Sequence, residues 1–271
     1  MHLLTGVTTD EFRAFQRSTV QTPEKEAKAM PKHKLGTREE WSAARSQLLE
    51  REQELGNLDE EVAKERSALP WVPVEKEYTF DTEAGKKTLA ELFDGRSQLL
   101  IYHLMFGPTY AAACPGCSGL ADHFDPTLVH LNNRDVTLIC ISRASIDKLQ
   151  AYKRRMGWKF PWVSSFGSEF NFDFDFAFTQ EQMATGELAK MVTEAPPWLE
   201  DWAQNVGTDL SSGMAESPGW NVFALEEGVV YHAYARTAPD RFLLAPYYSQ
   251  LLDQTPDGRD ADFPLRRHDE Y

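Results

Sequence analysis

Cysteine is scarce in this chain, three residues in 271, and one is left over if the other two pair. That excludes the secreted type of disulfide framework, which uses a dense and even set of cysteines. Basic residues are few as well: 28 Lys and Arg against 42 Asp and Glu give a net charge of -14. Binding to a nucleic-acid backbone relies on clustered cations, so no nucleic-acid partner is expected. The densest basic cluster, Lys153-Arg154-Arg155, reads as the solvated end of a helix. No apolar run approaches a bilayer span, and Met1 to Asp10 carry neither a basic n-region nor an apolar core of signal-peptide length. The expected location is the cytoplasm, with no membrane partner. A Gly-rich phosphate loop and a G-x-S-x-G elbow are also missing, which removes the nucleotide and serine-hydrolase readings. What is present is 42% hydrophobic residues, enough for a substantial core.

Residues 1–36 are polar, contain Pro23 and Pro31, and read as a loosely attached arm or short helix. Thr37-Arg38-Glu39-Glu40 forms a capping box, after which Trp41, Ala44, Leu48, Leu55, Leu58 and Val62 recur at helical spacing. A long amphipathic helix is therefore expected within 37–70, with a break at Gly56-Asn57, and its stripe packs on its own domain, joins two copies as a homodimer or docks a partner. Trp71-Val72-Pro73-Val74 and Tyr78-Thr79-Phe80 read as edge strands. From Gln98 the rhythm alternates: strand 98–106, helix 115–131, strand 136–142, helix 145–156, and a further strand near 160–165. Cys140 falls inside a nearly continuous apolar run and reads as a buried structural thiol. Phe170 to Phe178 alternates aromatic and acidic residues like a half-buried strand, and its Asp173 and Asp175 are too few ligands for a calcium loop. Residues 179–217, broken by Pro196-Pro197 and several glycines, look like an insertion before a hairpin formed by 220–225 and 229–235. The body of the chain is thus placed at 71–255, followed by a polar C-terminal tail at 256–271.

Cys114-Pro115-Gly116-Cys117 carries the chemistry. It follows the apolar run Leu99 to Phe106 and precedes a helical segment. At a helix start the first sulfur lies among unpaired N–H groups at the positive end of the dipole, which favours the thiolate, the attacking form in disulfide exchange. Pro115 suits the first helical position because it has no N–H to leave unpaired. His103, on the preceding strand, is placed either to orient a thiol and donate a proton or to serve as a core histidine. His123 falls on another helix face and reads as exposed, and the cysteines with scattered histidines do not make a zinc set.

This order of elements is that of a thioredoxin-like core. The chain resembles, over residues 20–271, a thioredoxin-like family of bacteria and fungi of unknown function, on Ala68-Leu69-Pro70-Trp71-Val72-Pro73-Val74, Tyr102-His103-Leu104-Met105-Phe106-Gly107-Pro108, Cys114-Pro115-Gly116-Cys117-Ser118, Ser142-Arg143-Ala144, Arg155-Met156-Gly157-Trp158, Phe160-Pro161-Trp162-Val163-Ser164-Ser165 and Asp257-Gly258-Arg259-Asp260. The resemblance implies an α/β fold, a central mixed sheet flanked by helices, with a long N-terminal helical extension and the insertion before the C-terminal hairpin. The spacing after the motif also looks like the peroxiredoxin branch. There the P-x-x-x-T-x-x-C loop is only partly matched, because Pro108 is one residue too close to Cys114 and no threonine lies three before it. An arginine such as Arg143 or Arg236 would then approach the thiolate. A thioredoxin's cis-proline corresponds by position to Pro218, its tryptophan before the first cysteine to Ala113, and its Gly-Pro dipeptide to Pro115-Gly116 in reverse order.

The expected function is a cytosolic thiol–disulfide oxidoreductase, Cys114 attacking and Cys117 resolving, with His103 and Pro218 as supporting candidates. Its substrate is a protein or small-molecule disulfide, or a peroxide if the chain is a thiol peroxidase, approached over the 107–113 loop, Pro161-Trp162 and the insertion. Electrons come from a cellular reductant, and no metal or organic cofactor is needed. A scaffold or adaptor with packed, unreactive thiols is the alternative from another class.

Overall fold

The computed structural model describes residues 34–237, 247–256, 258 and 266–271. The polar arm through residue 33, and the Asp257-Gly258-Arg259-Asp260 match except for Gly258, lie outside the described residues. Strands β1 (Val72–Pro73), β2 (Thr79–Thr82), β3 (Gly85–Thr88), β4 (Gln98–His103), β5 (Val136–Ser142), β6 (Trp162–Ser164), β7 (Gly219–Glu226) and β8 (Val229–Thr237) form one sheet in the order β1-β8-β7-β4-β5-β6-β2-β3. The two apolar runs, β4 and β5, pair in parallel at its centre, Tyr102 opposite Cys140, as expected of strands buried on both faces. β7 runs antiparallel to β4 and to β8, so β5-β4-β7-β8 reproduces the order of a thioredoxin-like core, with β6 added beside β5. The fold is α/β, a mixed sheet with helices on its faces.

Alternation along β4 divides the core. Tyr102 points into a cluster with Cys117, Cys140, Phe124, Trp162 and Leu149, whereas Leu99 and Ile101 point to the other face, among Phe80, Phe93, Ile139, Phe170 and Phe223. The first face is covered by α2 (Pro115–Ala121), α3 (Leu128–Asn132) and α4 (Ile146–Met156). The single helix expected over 115–131 is two, because Pro126 cannot donate to a continuing ladder and the carboxylates around it serve the neighbouring chain. Asp122 accepts from Trp158 Nε1 at 2.8 Å and Asp125 from the backbone N–H groups of Lys159 and Phe160.

The strand expected within Phe170–Phe178 is replaced by the short helix α5 (Phe170–Asp173) and a turn at Asp175, φ 60°. Phe170 and Phe174, four apart, both pack on the second cluster, so helical spacing wins over alternation here. Asp173 accepts from Lys76 Nζ and Tyr78 Oη, an ordinary structural use of the carboxylate. The insertion consists of α6 (Gln180–Met183), α7 (Gly186–Thr193), α8 (Pro197–Val206) and α9 (Leu210–Met214) around a small core of Met183, Met191 and Met214. At the end of α4 Arg154 and Arg155 are exposed, as expected, while Lys153 pairs with Glu83 and Arg155 with Asp269 and Glu270.

The described residues fall into two compact units, Trp71–Tyr271 and a unit ending at Pro70. The latter holds the Thr37 capping box and one uninterrupted helix, α1 (Arg38–Ser67), without the expected break at Gly56. None of its residues is buried, and Trp41, Leu48, Leu55 and Leu58 of its stripe are all exposed. Among the described residues no helix is long and apolar enough to cross a membrane.

Candidate active site

Past β4 the chain stays tied to the sheet by Leu104 N–H donating to Ile141 O at 3.0 Å, then turns through 107–113 and returns, Cys114 N–H donating to Met105 O at 3.0 Å. The insertion holds this loop. Ala111 and Ala112 both donate to Val206 O, at 2.8 and 3.2 Å, and the buried Tyr110 hydroxyl donates to Gly213 O at 2.7 Å. At the crossing Gly207 has φ 74° and lies so close that a Cβ there would stand 2.5 Å from that of Ala111, so glycine is required by both conformation and space.

Cys114 is the residue before the first helical position of α2, with Pro115 at that position. Both thiols are free; Cys114 is partly exposed and Cys117 buried. Cys117 and the backbone N–H groups of Gly116 and Cys117 turn toward Cys114, and the Trp202 indole donates to its sulfur at 3.4 Å. Hydrogen bonding from Cys117, opposed by burial and joined by the backbone and indole donors, lowers the Cys114 thiol to about 6. Burial, together with the adjoining Cys114 sulfur, pushes Cys117 well above the ordinary thiol value, against a lesser stabilising effect of the Tyr102 hydroxyl. One sulfur, on a partly exposed residue, is thus a thiolate near neutral pH and the other a shielded thiol that bonds to it.

The structure does not bring His103 to the sulfurs. It lies on the opposite face of β4, 1% exposed, stacked on Phe176 at 3.7 Å between ring centroids, its ring nitrogens bonded to Asn171 and Asn221. Burial holds its pKa well below the usual histidine range, so it is a neutral core histidine. Pro218 precedes Gly219, which pairs with His103 at the end of the sheet where the dithiol loop begins, but its peptide bond is trans, as are all those among the described residues. Arg143 pairs with the buried Glu216 at 2.8 Å, and burial raises the Glu216 carboxyl to about 7 despite that partner. Arg236 is opposite Trp220, itself opposite Tyr102, so by register it shares the face of the thiols two strands away. Trp162, expected at the substrate surface, is 1% exposed and donates to Ser142 Oγ. His123 is half-buried instead of exposed, and Cys140 is a buried thiol raised by burial. No group of three or more His, Cys, Asp or Glu side chains suited to a metal occurs among the described residues.

A family model described as bacterial protein of unknown function, DUF899, matches residues 30–271. The chain belongs to this family. No curated protein matches this DUF899 chain. Among solved structures it is similar to a Xanthomonas campestris peroxiredoxin Q at 14% identity, TM-score 0.41, covering 65% of this chain and 89% of that one. A Xylella fastidiosa PrxQ mutant matches at 13% identity and TM-score 0.41, covering 65% and 86% respectively. The Mycobacterium tuberculosis peroxidoxin BcpB matches at 12% and 0.36, covering 62% and 86%.

Three residues of the DUF899 site were not legible in sequence: Trp202, Glu216 and Arg267. Trp202 is 88 positions from Cys114 inside a segment with weak helical patterning, and only the fold brings the two together. Arg267 sits in a polar tail where an arginine reads as solvated, yet it is 2% exposed and bonds to Ala113 O beside Cys114. The neighbouring Arg266-Arg267-His268-Asp269-Glu270 run, basic then acidic, is the available signal for local ion pairing.

Proposed function

We propose that the chain is a thiol–disulfide oxidoreductase in which Cys114 attacks and Cys117 resolves. The Cys114 thiolate attacks one sulfur of a substrate disulfide, forms a mixed disulfide and expels the other sulfur as a thiolate. Cys117 then loses its proton, attacks Cys114 Sγ, closes the Cys114–Cys117 disulfide and releases the second substrate thiol. Two electrons pass from the dithiol to the substrate, and a cellular thiol reductant restores the pair. The observation that carries this reading is the division between the two sulfurs in exposure and acidity. The order of steps follows from it: the Cys114 charge helps to keep Cys117 protonated until Cys114 is tied up in the mixed disulfide, when that charge is gone and the Tyr102 hydroxyl can receive the developing thiolate. The 107–113 loop keeps only part of the P-x-x-x-T-x-x-C pattern, Pro108 standing one residue too close and no threonine lying three before Cys114, which favours disulfide over peroxide as substrate.

The rate of iodoacetamide alkylation against pH, followed by mass, tests the reading. Cys114 is expected to react first with a midpoint near pH 6, because the thiolate is present above the lowered pKa and is lost as pH falls through it. Trp202→Phe removes one donor to the thiolate and is expected to move the midpoint up by about one unit. A wild-type midpoint at the ordinary thiol value, about 8.5, or thiols that react only on unfolding, would contradict the proposal and select the scaffold.

A further inference from the structure

Resting on the oxidoreductase reading, we propose that Arg267 is the positioning residue for Cys114: one buried guanidinium holds the Ala113 carbonyl and the last turn of α8 together, fixing Cys114 within reach of the Trp202 indole N–H. Arg267 Nε and Nη2 donate to Ala113 O at 3.0 and 2.7 Å, Nη2 reaches Asn205 O at 3.4 Å, and Nη1 donates to Glu270 Oε1 at 2.7 Å. Four of the five guanidinium N–H groups are thereby engaged, and the planar fork spans two backbone segments that a single point charge cannot.

The two segments are those that make the nucleophile. Ala113 O belongs to the peptide unit whose N–H, that of Cys114, donates to Met105 O. The unit is therefore fixed at both ends, and with it the backbone that aims the sulfur. Asn205 lies one turn after Trp202 on α8, so the same guanidinium sets the distance between the indole donor and its acceptor sulfur. Arg267 is itself placed by the short helical turn His268–Glu270, where Arg155 binds Asp269 and Glu270 and His268 Nδ1 lies 2.7 Å from Asp122 Oδ1. A 2% exposed arginine in an otherwise polar tail is costly to bury, and here it is matched by one carboxylate and two carbonyls. A surface tail with no bearing on the site would not need it.

Two effects on Cys114 follow. Loss of the fork loosens the Trp202 contact, and loss of the positive charge removes a field that favours the thiolate. Both move the alkylation midpoint up. Removing the Glu270 charge while keeping its shape leaves Arg267 less neutralised and moves the midpoint down, which a purely structural role does not foresee.

The experiment is the alkylation titration of the full reduced chain as wild type, Arg267→Gln, Arg267→Lys and Glu270→Gln, with circular dichroism of each. The expected results are a midpoint about one unit higher and an about tenfold slower reaction below pH 6 for Arg267→Gln, partial recovery in Arg267→Lys, and a lower midpoint in Glu270→Gln. Folded Arg267→Gln and Glu270→Gln with midpoints within about 0.2 unit of wild type, or moving in the same direction, overturn the inference. Should Arg267→Gln not fold, Glu270→Gln decides: a lowered midpoint supports Arg267 and an unchanged or raised one overturns it. A wild-type midpoint at the ordinary thiol value instead overturns the oxidoreductase reading, whereas a wild-type midpoint near 6 with unmoved variants sinks only the role of Arg267.

Discussion

Cys114→Ser is expected to lower the rate of disulfide exchange by ~10³-fold or more, whereas Cys117→Ser retains the first attack and accumulates a mixed disulfide through Cys114. The asymmetry comes from the geometry of the pair. Only Cys114 is partly exposed, and its sulfur receives the indole, backbone and thiol donors that lower it to about 6. A serine there cannot supply a thiolate. Cys117 is buried and raised, so it becomes a nucleophile only toward the sulfur beside it. Mass analysis after acid quenching with a small aromatic disulfide distinguishes the two. Retained turnover in Cys114→Ser, or a trapped adduct on Cys117 in that variant, would reverse the assigned roles.

The largest expected loss of stability is from Phe170→Ala, about 3–5 kcal/mol in urea unfolding at constant m-value. Phe170 is fully buried at the start of α5, with ring centroids 5.1 Å from Tyr78, 5.0 Å from Phe80, 4.8 Å from Phe174 and 6.0 Å from Phe223. It also stacks on His103 at 5.9 Å. One ring therefore joins the edge hairpin of β2, α5 and two central strands, and its removal leaves a cavity among groups that cannot all collapse inward. This cluster lies on the face of the sheet away from Cys114, so the Cys114 alkylation midpoint is expected to stay near 6 in the folded variant. A loss under about 1 kcal/mol would mean that the second core is not the support described.

The central strands, α4 and the hairpin of β7 and β8 were legible because each is a long apolar or alternating run bounded by clear turn residues. The C-x-x-C was legible as letters and as a place, since Pro115 marks the helix start. Phe170–Phe178 misled because its aromatic residues satisfy both a period of two and a spacing of four, and contacts with Tyr78 and Phe80, far away in the sequence, decide between them. His103 could not be assigned from sequence, since the parity that sends Tyr102 toward the sulfurs sends His103 away, and parity needs a known register. Pro218 occupied the expected place in the chain order but not the expected peptide geometry. Trp202 and Arg267 were hidden for a third reason: each lies in a segment with weak patterning and acquires its role only where the insertion and the tail close on the 107–113 loop.

The central claim is that Cys114 and Cys117 form a working redox couple, and equilibration of the full chain in graded glutathione buffers, read by mass after thiol trapping, tests it most directly. A reversible transition of the two thiols together to one intramolecular disulfide, with a midpoint between thioredoxin-like and oxidase-like potentials, about −270 to −120 mV, is the expected result. Thiols that stay reduced across the series and become trappable only when the protein unfolds would contradict it.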